Sequence, residues 1–125
     1  MKLSTKVYLA NSNIKHAGRG IFAARKIKKS ETIEVCPVIL LKNEGPKLRK
    51  SELYHYYFLW DNQSDAAIAL GFGSMYNHSY RPNATYKKHI KDKAVEFIAL
   101  ENIDKNEEIT INYNHGDQKM YLRFV

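Results

Sequence analysis

The chain has 125 residues, a formal net charge of +7, 44% hydrophobic residues and a single cysteine. That length holds one domain rather than two, and the apolar share with nine tyrosines fits a packed globule rather than a disordered chain. The lone Cys36 excludes an internal disulfide and any zinc module built on several thiolates, and no apolar run is long enough to span a membrane.

The start, MKLSTKVYLAN, lacks the apolar stretch of a signal peptide, so a single intracellular domain over residues 1–125 with no membrane partner is expected. In chain order, Lys6 to Ala10 reads as a first strand. The turn Gly18-Arg19-Gly20 leads into a second at Ile21 to Ala24. Val38 to Leu41 is a short continuous apolar run, as in a buried strand, and Asn43-Glu44-Gly45-Pro46 punctuates the chain as a loop. Arg49 to His55 has room for one short helix. Tyr56, Phe58 and Trp60 alternate and so fall on one face of a strand. Ala66 to Leu70 reads as buried, and Gly71 to Pro82 as irregular. Asn83 to Lys88 and Val95 to Leu100 pair as a hairpin across His89 to Lys93. Glu108 to Tyr113 is the last strand, with Ile109, Ile111 and Tyr113 on one face. Short strands with little helix make the class mainly β.

Three stretches carry chemical potential. In His16-Ala17-Gly18-Arg19-Gly20, two glycines around one residue permit a tight turn and close approach of a ligand to backbone; an ordinary hairpin turn has the same composition. No helix pattern follows, so this is no dinucleotide-binding fingerprint. The run Gly71-Phe72-Gly73-Ser74-Met75-Tyr76-Asn77-His78-Ser79-Tyr80-Arg81-Pro82-Asn83 is dense in hydrogen-bonding side chains. They suit the edge of a purine, or equally a loop that satisfies its own backbone. In Glu107-Glu108-Ile109-Thr110-Ile111-Asn112-Tyr113, a polar turn enters an alternating strand that ends on a tyrosine.

Taken in order, Gly18-Arg19-Gly20, then Asn77-His78-Ser79 with Pro82-Asn83, then Glu107-Glu108-Ile109-Thr110 with Tyr113, resemble the signature motifs of SET-domain protein-lysine methyltransferases. The resemblance covers residues 6 to 117. Ala69-Leu70-Gly71-Phe72-Gly73 is similar to the compact bacterial and viral members. It implies a β-clip-like fold of short sheets with little helix and a C-terminal pseudoknot that brings Asn77-His78 beside Tyr113. It also implies S-adenosyl-L-methionine as methyl donor. His16, Ala17, Gly18, Arg19 and Gly20 would hold its methionine part largely through backbone, and Asn77 and His78 its adenine and amino-acid ends. Tyr113 would be the catalytic tyrosine, bordering the same cofactor.

By the same resemblance the target lysine enters through a narrow channel of Tyr56, Gly71, Phe72, Tyr86 and Ile111, with Tyr54 and Tyr57 competing with Tyr56. Tyr86, three residues after Asn83, and Ile111, two before Tyr113, stand where relatives limit the number of methyls added. A hydroxyl at Tyr86 predicts mono- or dimethyl product. The partner implied is a protein presenting a lysine, such as a basic chromatin-type protein, and no metal is required. The cysteine-rich segments that flank many histone-modifying members have no counterpart within residues 1–125. Residues 114–125, with Met120, Tyr121, Leu122, Phe124 and Val125, are apolar enough to pack on the domain or on a second copy as a homodimer. One rival reading is a catalytically silent SET-like module that only binds partners, against which the retained Asn77, His78 and Tyr113 speak; the main rival is a small basic nucleic-acid-binding β domain, supported by the charge and by the aromatics near Gly71-Phe72-Gly73. It leaves the motif order unexplained, and nucleic acid is not expected as substrate. A metal site from Cys36, His78 and His115 has no ligand spacing behind it.

Overall fold

The computed structural model describes residues 4–48, 50–60 and 64–113; at residues 54 and 55 it describes the backbone alone. β1 (Val7–Asn11) and β2 (Arg19–Ala23) form an antiparallel hairpin in which Tyr8 stacks on Phe22 at 5.7 Å. β3 (Thr32–Leu41) is the longest strand. A single helical turn, α1 (Gly45–Leu48), and a 3-10 turn, Glu52–His55, precede β4 (Tyr57–Leu59) and β5 (Ala66–Ala69). β6 is the dipeptide Asn77–His78, β7 (Ala84–His89) and β8 (Ala94–Ala99) form the expected hairpin, and β9 is Glu108–Ile111.

The strands make two sheets, ordered β1-β2-β9-β6 and β4-β5-β3-β8-β7. The last strand is therefore internal. β9 runs antiparallel to β2 through Ile21↔Ile109 and parallel to β6 through Asn77↔Thr110 and His78↔Ile111. Its alternation explains the placement: Ile109 and Ile111 are fully buried, and Glu108 and Thr110 are only half-buried. Both isoleucines join Ile21, Ile27, Ile33, Val95, Phe97 and Ile103 in one core, each worth roughly 1.5–3 kcal/mol of burial. Asn83 pins the crossing. Its side chain donates to the Glu108 carbonyl at 2.9 Å and accepts from the Thr110 amide at 2.9 Å.

Several local readings are revised: the stretch Gly71 to Pro82, read as irregular, holds β6, and the last strand ends at Ile111, so Tyr113 lies beyond it. β3 begins at Thr32, not Val38, because Ile33 forms a bulge against β8 that turns Glu34 inward and hides the strand's period. The Asn43 to Pro46 stretch is a loop only as far as Glu44: the Leu48 amide bonds the Glu44 carbonyl at 3.2 Å, and Pro46 sits in the first helical turn, where its missing amide costs nothing. Tyr56 does not share a strand face with Phe58 and Trp60. It closes the 3-10 turn at φ −123°, ψ −5° and stays exposed, whereas Phe58 and Trp60 are buried. Residues 114–125, with the predicted packing of the tail, lie outside the described residues.

Candidate active site

A cavity of about 650 Å³ opens where the β1–β2 loop, the segment before β6 and the end of β9 meet. Its walls are Ile14, Lys15, His16, Ala17, Gly18 and Arg19 on one side, Ser74, Met75, Asn77, His78 and Tyr80 on another, and Tyr56 and Tyr113. The loop wall folds locally. The Ser12 amide bonds the Gly18 carbonyl at 2.8 Å, and His16 and Gly18 both take left-handed backbone at φ 67° and 73°. Gly18 relieves strain only, since an added Cβ there meets nothing within 4 Å.

Tyr113 sits at the convergence of these walls. Its hydroxyl donates to the Tyr76 carbonyl at 2.6 Å, and its amide donates to His78 Nδ1 at 3.1 Å. Burial, then the nearby Tyr56 phenol, push the Tyr113 hydroxyl well above its ordinary pKa. It is therefore a hydrogen-bond donor at neutral pH, not a resident base. Accepting at Nδ1 makes His78 a neutral imidazole with its proton on Nε2, and burial lowers its pKa in the same sense. The His78 ring lies 5.3 Å from Tyr113 and meets Tyr80 edge-on at 4.4 Å.

Glu108 assembles the rim. Its carboxylate accepts from Ser12 Oγ at 2.8 and 2.9 Å, from the Asn13 amide at 3.0 Å and from Asn77 Nδ2 at 3.0 Å. Asn77 Nδ2 also bonds the Arg19 carbonyl at 3.0 Å, so this amide nitrogen faces the scaffold. Gly20 lies beneath that junction: an added Cβ would stand 2.4 Å from Glu108 Oε2 and 2.8 Å from Asn77 Nδ2.

Of the residues singled out from sequence, His16, Ala17, Gly18, Arg19, Asn77, His78, Tyr56 and Tyr113 line the cavity together. Gly20 is buried behind it. Ile111 is a fully buried core residue, and Phe72 packs against the core. Gly71 turns at φ 64° outside the lining, and Tyr86 is buried with its hydroxyl on the Tyr113 carbonyl at 3.0 Å. Ser74, Met75 and Tyr80 line the cavity too, from a stretch singled out in sequence but with no role assigned to them, and Ile14 and Lys15 line it from outside every highlighted stretch. Glu34 lies in no motif, although a lone acid in the apolar run Thr32–Leu41 was a visible signal for it, and Glu108 belongs to a motif that assigned it no role. Among the described residues no group of three His, Cys, Asp or Glu side chains is disposed to hold a metal, and no helix is long and apolar enough to cross a membrane.

The fold and site define a class. The SET domain family model matches residues 18–114, and the chain belongs to that family. The chain is 34% identical over 98 residues to a histone-lysine N-methyltransferase, H3 lysine-37 specific, of Schizosaccharomyces pombe. That match covers 77% of this chain and 66% of the relative. It is 30% identical over 113 residues to a variant-silencing SET domain-containing protein of Plasmodium falciparum, covering 79% of this chain and 4% of that one. The chain therefore spans a little under two thirds of the first relative and a small part of the second. Among solved structures, a histone methyltransferase candidate of Plasmodium falciparum superimposes with TM-score 0.72 at 33% identity, over 95% of this chain and all of that one. A Chaetomium thermophilum polycomb repressive complex 2 bound to S-adenosylmethionine shares the fold, with TM-score 0.69 at 23% identity over 90% of this chain and 15% of that one.

Proposed function

We propose that this SET-domain chain transfers a methyl group from S-adenosyl-L-methionine to a lysine side chain of a protein. The observation that carries the reading is the meeting of Asn77-His78 with Tyr113 on one cavity, across 35 residues of sequence, through the 3.1 Å bond from the Tyr113 amide to His78. The cavity fits the donor in size and chemistry. About 650 Å³ lies within the range of small-molecule sites. Lys15 and Arg19 suit an amino-acid carboxylate, the turn around Gly18 exposes backbone, Asn77 and His78 supply polar groups, and Tyr56 and Tyr113 offer aromatic faces to a cation.

When bound, the donor supplies an already activated sulfonium methyl, so the protein's tasks are to hold, orient and desolvate. The lysine must arrive as a neutral amine. From a reference pKa of about 10.4, that costs roughly 4.6 kcal/mol at pH 7. Aromatic, water-poor walls disfavour the ammonium and lower that cost. Tyr113, held protonated and anchored through the Tyr76 carbonyl, orients the amine for in-line attack and does not remove its proton. Tyr86 stands outside the cavity lining, and its hydroxyl on the Tyr113 carbonyl would hold Tyr113 from yielding room to added methyls, which favours mono- or dimethyl product.

The name of the Schizosaccharomyces pombe relative supports a histone-type tail, modified inside the cell, as the substrate class. The test is incubation of the protein with donor carrying a labelled methyl and with core histones, followed by total hydrolysis. Label recovered as mono- and dimethyllysine is expected. Label recovered only in arginine, or none above the protein-free control, overturns the reading.

A further inference from the structure

The cost of burying a carboxylate singles out Glu34. It is 8% exposed, on the inner face of β3, in an otherwise apolar stretch. The bulge at Ile33 is what aims it inward, since Ile33 and Glu34 are consecutive and both buried. Its Oε1 accepts the Tyr76 hydroxyl at 2.6 Å, and the Phe72 amide and the Cys36 thiol face it closely enough to favour its charged form. All three partners belong to β3 or to the segment draped over it. That segment fits closely: a Cβ added at Gly73 would lie 2.7 Å from Ala69 Cβ and 3.0 Å from Cys36 Sγ. Tyr76 is 1% exposed, lies against Phe97 at 4.5 Å and immediately precedes Asn77-His78. Its carbonyl is the acceptor for the Tyr113 hydroxyl. Two hydrogen bonds of 2.6 Å thus connect a carboxylate outside the cavity lining to the tyrosine inside it, through one residue.

We infer that Glu34 and Tyr76 are positioning residues that fix the Tyr113 hydroxyl by clamping the carbonyl it bonds. The inference rests on the methyltransferase reading for its kinetic consequence but not for its structural one. Glu34 also holds the segment itself through Tyr76, so a fold-only role would weaken binding and transfer together. A positioning role instead acts through the Tyr113 hydroxyl and leaves binding intact.

The experiment uses the full chain as wild type, Glu34→Gln, Tyr76→Phe and Tyr113→Phe, and each of the first two substitutions combined with the third. Tyrosine labelled with carbon-13 at Cζ reports each hydroxyl environment, and the signal lost in Tyr113→Phe identifies Tyr113. That signal should shift in both Glu34→Gln and Tyr76→Phe. An unshifted signal in a folded variant overturns the inference whether or not the protein transfers methyl. In transfer assays kcat should fall about tenfold with KM for donor and peptide within about twofold of wild type. In the Tyr113→Phe background the same substitutions should lower the residual rate no further, whereas an equal fall in both backgrounds overturns the inference. A Tyr113 signal that shifts in a protein showing no transfer at all leaves the positioning intact and removes the methyltransferase reading. If Glu34→Gln does not fold, Tyr76→Phe carries the test alone.

Discussion

Replacing Gly20 by alanine tests how the cavity rim is held. The added Cβ would stand 2.4 Å from Glu108 Oε2 and 2.8 Å from Asn77 Nδ2, closer than any real carbon tolerates. Both atoms end flexible side chains, so they move rather than force the backbone apart. Moving them breaks the Asn77–Glu108 bond and strains the Ser12 and Asn13 bonds to the same carboxylate. Hydrogen bonds to a charged group are worth about 1.5–3 kcal/mol, so Gly20→Ala should cost about 2–4 kcal/mol of unfolding free energy. Gly18→Ala is the control. Nothing lies within 4 Å of its Cβ, and only the left-handed φ of 73° is penalised, by about 1 kcal/mol. Denaturant unfolding of both variants, with calorimetric titration of S-adenosylmethionine, reads the two effects. In a Glu108→Ala background Gly20→Ala should become about 1–2 kcal/mol milder, because the group it displaces is gone. Equal losses for the two glycines, or the same Gly20→Ala loss with and without Glu108, refute the reasoning.

Tyr86→Phe should shift the product toward higher methylation by removing the hydroxyl on the Tyr113 carbonyl; intact-mass spectra of a modified peptide check it, and an unchanged product ratio counts against it. Glu31, bonded to Arg25, the Lys28 amide and Lys6, has its carboxyl lowered from 4.5 to about 2. The unfolded chain therefore takes up that proton first, so the stability Glu31 contributes is present above pH 4.5 and lost as pH falls through about 2. Thermal midpoints measured between pH 5 and pH 2 should fall less steeply for Glu31→Gln than for wild type. The difference should shrink in high salt, because Arg25 is exposed and Lys6 and Glu31 are only partly buried.

Much of the fold was legible because the segments that form it are locally consistent. The β7–β8 hairpin and β9 carry alternating patterns that burial then selects, so Tyr86, Phe97, Ile109 and Ile111 all face inward. The cavity's glycine turn, Asn77-His78 and Tyr113 were legible as motifs, and their convergence was an expectation from resemblance. The insertion of β9 between β2 and β6 has no local signature, since it is set by pairing between distant segments. Other features were hidden for specific reasons. The bulge at Ile33 breaks the period-2 pattern and conceals both the start of β3 and the inward turn of Glu34. Tyr56 shares the i, i+2 spacing of Phe58 and Trp60, yet the 3-10 turn before β4 takes it out of the strand and onto the cavity. Glu108 read as one of two acids in a polar turn, because its partners Ser12 and Asn77 are 96 and 31 residues away.

Methyl transfer by wild type and Tyr113→Phe, measured beside calorimetric titration of both with S-adenosylmethionine, tests the central claim most directly. The account predicts comparable binding heat and affinity for the two proteins, with labelled methyllysine formed by wild type and nearly none by the variant. Equal transfer by both proteins, or no heat with the donor from the wild type, would contradict it.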